Sequence, residues 1–216
     1  TGIIPWNDHI LWKEGDTSEK APKNAMTNLV IRNNSLTEID ADGIFIHGTS
    51  KALMEHNTVN GASRLTPTNT PPEDEPPADN VFRPSVAMWV QASWDPVMQY
   101  NEAYNTHDSG GDNQGFDIDV ATRRALVQYN YSHDNDGAGF GLYQYIGARP
   151  WHDNVVRFNL SVNDGRANGY GGITLWAYGS DLIHADIYNN TVVVDSAGTE
   201  SGTPAAVAFM SGGAYG

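Results

Sequence analysis

Apolar residues in this chain alternate with polar or small ones in short bursts, and the bursts return along its length. Six five-residue segments, most of them opened by Gly, carry apolar residues at their second and fourth positions. They are Gly43-Ile44-Phe45-Ile46-His47, Ser85-Val86-Ala87-Met88-Trp89, Gly115-Phe116-Asp117-Ile118-Asp119, Gly139-Phe140-Gly141-Leu142-Tyr143, Gly172-Ile173-Thr174-Leu175-Trp176 and Ala205-Ala206-Val207-Ala208-Phe209. A period of two puts the second and fourth residues on one face of a strand and the third and fifth on the other. The inward set reads Ile44/Ile46, Val86/Met88, Phe116/Ile118, Phe140/Leu142, Ile173/Leu175 and Ala206/Ala208. The outward fifth-position column is mostly aromatic: His47, Trp89, Asp119, Tyr143, Trp176 and Phe209. One copy departs from the pattern by placing two carboxylates, Asp117 and Asp119, on the outward face among these rings.

A second column supports the repeat. Asn34, Asn57, Asn101, Asn130, Asn159 and Asn190 each close a short strand, with Ile, Met or Val three residues earlier. Self-similarity at roughly 23 to 31 residues, longer once for an insertion, is the mark of a solenoid whose coils stack on one another. Strands this short, separated by Gly and Asn and without helical periodicity, predict an all-β fold, a parallel β-helix of about six to seven coils. The whole chain, 1–216, reads as a single domain. At each bend the Asn side chain can bond the backbone and the equivalent amide one coil away, about 4.8 Å along the axis, which makes the column structural.

The spacing from each ladder Asn to the next Gly-led strand varies, so the long loops leave one corner, where solenoids commonly build a binding face. The longest is a Pro-rich acidic surface insertion at about 62–80. Another, His107 to Gln114, leads directly into the Asp117/Asp119 strand. Composition then narrows the partners. A net charge of −14 argues against a nucleic-acid or anionic-membrane partner, and no apolar run is long enough to span a bilayer. Cysteine is absent, which removes disulfides and thiolate chemistry. The first residues, Thr1 to Trp6, look like a strand already in progress and the chain stops just after another. The expectation is a segment of a longer β-helix, or ends covered by neighbouring subunits.

Gly115 to Asp119, Val127 to Phe140 and Asp186 to Val192 together resemble the secreted bacterial right-handed parallel β-helix proteins of the pectate-lyase-like superfamily. The resemblance implies a right-handed coil, a secreted, extracellular or periplasmic location, and a polysaccharide or oligosaccharide partner bound along one face. It also implies one of three activities: glycoside hydrolase, polysaccharide lyase, or glycan-binding adhesin or tailspike.

The residues leave several chemistries open. Carboxylates at i and i+2 of a strand have Cα atoms about 6.6 Å apart, which suits an acid/base pair for glycoside hydrolysis with no cofactor. Asp108, Asp112, Asp117 and Asp119 together could instead supply hard oxygen ligands to Ca²⁺, as a lyase would use. They could also be ordinary solvated side chains. Trp89, Tyr143 and Trp176, with His47 at the end of the row, are candidates to stack on sugar rings. His107, His133 and Arg149 are alternative catalytic groups on the neighbouring loops, and Arg123 is a candidate for holding a uronate.

Overall fold

A computed structural model describes residues 21, 25–63, 85–107, 112–195 and 205–211. The amino-terminal strand expected over Thr1 to Trp6 and all but the first residues of the 62–80 insertion lie outside them. Three six-stranded sheets account for nearly all of the regular structure described. The Gly-led sheet contains Ile44–His47, Met88–Gln91, Phe116–Ile118, Phe140–Tyr145, Gly171–Tyr178 and Ala205–Ser211, in that spatial order. The second sheet runs from Val30–Arg32 through Leu53–Glu55, Val97–Gln99, Leu126–Gln128 and Trp151–Arg157 to Leu182–Tyr188. The third runs from Ser35–Thr37 through Thr58–Asn60, Glu102–Tyr104, Tyr131–His133 and Leu160–Val162 to Thr191–Val193. Each coil lends one strand to each sheet and every described pairing between neighbours is parallel, so the chain is a parallel β-helix.

The interior is filled by the alternating residues. Ile44, Ile46, Met88, Val90, Phe116, Ile118, Phe140, Leu142 and Ile173 meet Met54, Met98, Val127 and Val156 of the second sheet and Val59 and Ala103 of the third. Each such side chain taken out of water is worth about 1.5–3 kcal/mol. Like residues stack on like along the axis, with the rings of Phe116 and Phe140 parallel at 5.2 Å.

Two strands differ from the expected register. Phe116 pairs with Met88 and Ile118 with Val90, so the second copy runs Met88 to Gln91, two residues later than the pattern suggested. Val86-Ala87-Met88-Trp89-Val90 is apolar throughout, and alternation has no fixed origin in such a run; a slip of two keeps the face but changes the neighbours. In the last copy Ile173 pairs with Val207 and Leu175 with Phe209. This slip of one reverses the faces expected for Ala206 and Ala208, and Met210, not Phe209, lies beside Trp176.

The Asn column forms a continuous ladder. Each Asn Nδ2 donates to the next Asn Oδ1, with distances of 2.9, 3.0, 2.9, 3.1 and 3.0 Å from Asn34 to Asn190. The same Oδ1 accepts the backbone N–H of the Asn below, as Asn130 Oδ1 does from Asn101 at 3.0 Å. The second Nδ2 proton goes to a strand carbonyl, that of Met98 for Asn130 at 2.9 Å. The residue before each Asn turns the corner in the left-handed region, including Tyr100, Tyr129 and Phe158 at φ 56°, 56° and 53°. That conformation costs such residues about 1–2 kcal/mol. It is offset by ring stacking at 5.2 and 5.3 Å. A shorter ladder at the next corner joins Thr106, Asn135 and the buried Asp164. Gly139 passes directly beneath it, where a Cβ would lie 2.5 Å from Asp164 Oδ2.

Asn130→Ala strips a buried amide from the middle of the long ladder and leaves Asn101, Asn159 and the Met98 carbonyl short of partners. It should lower stability by about 3 kcal/mol or more, at one to three per orphaned group. Urea unfolding checks this by a lower midpoint at unchanged slope.

Candidate active site

Phe116 and Ile118 are 1% and 2% exposed, which fixes Asp117 and Asp119 on the outward face. They do not lie among exposed rings, however: Asp117 is only 4% and Asp119 only 9% exposed. Asp117 pairs with Trp89 on one side and Gly141 on the other. Trp89 is itself covered, its ring stacked on Phe45 at 3.7 Å. Gly141 leaves room for Tyr143 to fold back over the backbone, because a Cβ there would stand 2.8 Å from the Tyr143 ring. The Tyr143 hydroxyl accepts a hydrogen bond from Gln114 Nε2 at 3.0 Å, closing that side.

The backbone is re-aimed directly after Ile118. Val90 pairs with Ile118 and Trp94 with Arg123, so five steps of this coil face four of its neighbour. The extra residue is a bulge of the kind that redirects a side chain at a strand end. Its left-handed residue is Ala121, at φ 60°. The Trp151 indole takes the Ile118 carbonyl at 2.9 Å and Gln144 Oε1 accepts the Ala121 N–H at 3.2 Å. Asp119 therefore stands on a braced, irregular turn. Its Oδ2 accepts from Gln91 Nε2 at 2.6 Å, and Gln91 Oε1 lies 3.0 Å from His47 Nδ1.

Two more carboxyls join the pair: Asp42, just before the first Gly-led strand, and Asp112, at the end of the loop that enters the Asp strand. Burial pushes Asp119 up to about 7; the Val120 amide and Gln91 pull it down, and the Asp112 charge adds to the rise. Burial, followed by the charges of Asp119, Asp112 and Asp42, holds Asp117 well above the carboxylate range. Asp42 is raised to about 6, mainly by burial. The Val86 N–H, 3.0 Å away, counters that rise, as does the Trp89 indole, which falls short of a full hydrogen bond. Asp117 Oδ1 is buried with no hydrogen-bond partner, a position that suits a neutral carboxyl and penalises a charged one. Asp112, half-buried, acts on all three others as the negative charge.

Several residues expected to act on a substrate are covered or lie elsewhere. His47, Trp89 and Tyr143 are buried and offer no open ring to a sugar. Arg123 is fully buried, its guanidinium over the Trp94 ring at 5.2 Å and its Nε donating to the Pro150 carbonyl, so it is a packing residue. Arg149 is buried in the turn that braces the bulge, where its carbonyl accepts from Gln144. His133 lies on the third sheet between the rings of Tyr104 and Tyr131. His107 lines a polar groove with Glu38, Asn60, Gly61 and Asn105 and contacts Asp136 at 2.9 Å. Asp108 lies outside the described residues. Among those described, no three His, Asp or Glu side chains converge to hold a metal ion.

What the sequence reading missed is Asp42, Gln91 and two rings, Tyr145 and Tyr178, beside the Trp176 that it named. Trp176 is half-buried and stacks on the exposed Tyr178, with ring centroids 6.0 Å apart, while Tyr145 lies 6.2 Å from Trp176. Tyr145 is pushed up to about 12, by burial and then by the charges of Asp119, Asp112 and Asp117, which puts it beside the carboxyls. The exposed stack of His56, Tyr100, Tyr129 and Phe158 on another corner shows only ring edges, its faces being used within the stack. The signal for Gln91 was its place, in the correct register, between His47 and Asp119.

The model of the family described as "Right handed beta helix region" matches residues 23–192. The chain belongs to the right-handed β-helix family. The lacto-N-biosidase of Bifidobacterium longum subsp. longum is 30% identical over 183 residues, 81% of this chain and 10% of that protein. Among solved structures, the GH136 lacto-N-biosidase from Eubacterium ramulus aligns with a TM-score of 0.53 and 22% identity as its selenomethionine derivative. The native protein gives 0.50 and 21%. Both alignments cover 77% of this chain and 28% of the other. The chain thus spans about a tenth of the curated relative and little more than a quarter of the structural ones, and the structural likeness shows the shared fold.

The raised carboxyls set the pH dependence of stability. Asp42, Asp119 and Asp164 titrate at about 6, 7 and 7 in the folded chain, each raised chiefly by burial, and near 3.9 when unfolded. Between these values the unfolded chain binds fewer protons, so stability should fall as pH rises from about 4 to 8. Asp134 and Asp153, held low beside histidines, act in the opposite sense only below about pH 4. Thermal unfolding across this range should show a falling midpoint, and Asp119→Asn should flatten it.

Proposed function

We propose that this chain carries the catalytic face of a glycoside hydrolase acting on a lacto-N-biose-containing oligosaccharide. Asp119 is the general acid and Asp112 the ionised partner. The observation that carries the reading is Asp119 itself: a buried carboxyl titrating at about 7, held by Gln91 on a bulge, with the Asp112 charge beside it. A glycosidase needs one carboxyl protonated at working pH to deliver a proton to the leaving oxygen. It needs a second, ionised one to act on the anomeric carbon or on a water. Asp112 fits the second role through its charge and its partial exposure. Asp117 is too deeply buried to meet a sugar and serves as a neutral wall that keeps Asp119 protonated. Tyr145, Trp176 and Tyr178 supply the aromatic surface next to the carboxyls on which a pyranose can lie. The names of the relatives support the substrate class. The lyase reading has less support, since Arg149 is buried, His133 lies on another sheet and His107 lines a separate groove.

Release of p-nitrophenol from its β-lacto-N-bioside tests the assignment. Asp119→Asn and Asp112→Asn should each lower kcat by at least about a hundredfold, the scale of a positioned proton transfer. Asp117→Asn, which replaces one neutral group by another, should cost less than about tenfold. A dead Asp117→Asn beside an active Asp112→Asn would restore Asp117 and Asp119 as the pair. In the wild type, kcat/KM should decline as pH rises through about 7, where Asp119 loses its proton. Chelation with EDTA should leave turnover intact; loss of activity would favour a Ca²⁺-dependent mechanism instead.

The aromatic surface has its own signature. Trp176→Ala should raise KM several-fold with a smaller effect on kcat, because stacking holds ground and transition states alike. Steady-state kinetics on the same glycoside measure the split. Binding of the sugar without any turnover would mark the chain as a glycan-binding module.

A further inference from the structure

Three buried side chains from three successive coils stand in a line that the acid/base chemistry above does not by itself require. His47 Nδ1 lies 3.0 Å from Gln91 Oε1, and Gln91 Nε2 donates to Asp119 Oδ2 at 2.6 Å. All three residues are buried on the outward face of the Gly-led sheet. The two ends of a Gln amide are alike in size, so packing alone does not decide which end faces Asp119. A proton on His47 Nδ1 does decide it: the carbonyl end turns to the imidazole and the NH₂ end is left for the carboxyl.

We propose that His47 and Gln91 are positioning residues for Asp119, the imidazole fixing the amide so that the amide holds Oδ2 and the acidic proton is carried on Oδ1. The inference rests on the reading of Asp119 as the acid. The other groups around this carboxyl cannot do the same. Asp112 acts on it as a negative charge, Asp117 is a carboxyl on the strand just before it, Tyr145 is a phenol beside it, and the Val120 amide is part of its own turn. Among the described residues, Gln91 is the side-chain donor placed on one carboxyl oxygen of Asp119 and not the other. The Phe45 ring packs against His47 in an edge-to-face arrangement, with ring centroids 5.8 Å apart. A reversed amide would place its carbonyl oxygen against Asp119, repelling the ionised acid and drawing its proton onto Oδ2, away from a substrate at Oδ1.

The test compares His47→Leu, His47→Asn and Gln91→Met by steady-state kinetics on p-nitrophenyl β-lacto-N-bioside across pH, and by ¹³C NMR titration of the Asp119 carboxyl. His47→Leu should lower kcat at least about tenfold with KM within about twofold, as expected when only orientation of the acid is lost. The alkaline limb of its pH profile should move upward, since the hydrogen bond that favours the ionised form is weakened. His47→Asn places an amide N–H where Nδ1 stands and should restore both kcat and the limb. A purely structural His47 would leave the two variants alike, and that result would overturn the proposal. In the NMR titration Gln91→Met should raise the Asp119 midpoint, and an unchanged midpoint would overturn it without reference to any substrate. A raised midpoint together with full turnover by Asp119→Asn would overturn the catalytic reading of Asp119, and with it the role, though not the existence, of the line.

Discussion

The structure depends on one repeated hydrogen bond, from the side-chain amide of one corner Asn to that of the next. A parallel β-helix has no local element that folds by itself; each coil must find the coil beneath it at one spacing and one rotation. The ladder from Asn34 to Asn190 supplies that reference. Each amide oxygen accepts two bonds from the coil below and each amide nitrogen also ties down a strand carbonyl. In the low dielectric of a buried corner a missing rung costs more than a made one contributes, so the ladder selects register as much as it adds stability. The aromatic residues forced into left-handed turns beside it show how much local strain the ladder holds in place.

Once the corners are fixed, so are the neighbours of every outward side chain, and the site follows from this. Asp117 has Trp89 on one side and Gly141 under Tyr143 on the other because those residues occupy the same level of adjacent coils. A wall assembled this tightly excludes water, and three of the four carboxyls, Asp42, Asp117 and Asp119, are raised above the usual carboxylate range. The bulge after Ile118 interrupts the regular rungs at the one place where a carboxyl must be aimed, braced from inside by Trp151 and from the next coil by Gln144. Rigid strands thus hold Asp119, while its charged neighbour Asp112 arrives on a loop. This division of labour suits a site that needs one group dry and protonated and another ionised and within reach of solvent.

The likeness to lacto-N-biosidases covers most of this chain but a small part of those proteins. The conserved physical unit between them is the stack of coils, and the site described here is assembled wholly within it, from residues Asp42 to Tyr178. The rings of Tyr145, Trp176 and Tyr178 lie one to two coils above Asp119, on successive levels of the same sheet.

The sequence alone determined the all-β repeat, the Asn ladder, the inward residues of the Ile44, Phe116, Phe140 and Ile173 strands, and Asp117 and Asp119 as the departure from pattern. These are properties of period and residue type, and a period of two or of one coil is written directly in the chain. Tertiary structure decided which coil residue stands beside which. Val86 to Val90 and Ala205 to Phe209 are apolar at nearly every position, so alternation could not fix their register, and Trp89 and Phe209 were assigned neighbours they do not have. Burial of the outward face was equally hidden, since Phe45 and Trp89 cover one another, and Tyr143 meets Gln114, only after the coils stack. Asp42, Gln91 and Asp112 lie 77, 28 and 7 residues from Asp119 in the chain. They meet because successive coils bring distant residues to one level, and the burial created by that stacking, with the Asp112 charge added, is what raises Asp119 to about 7.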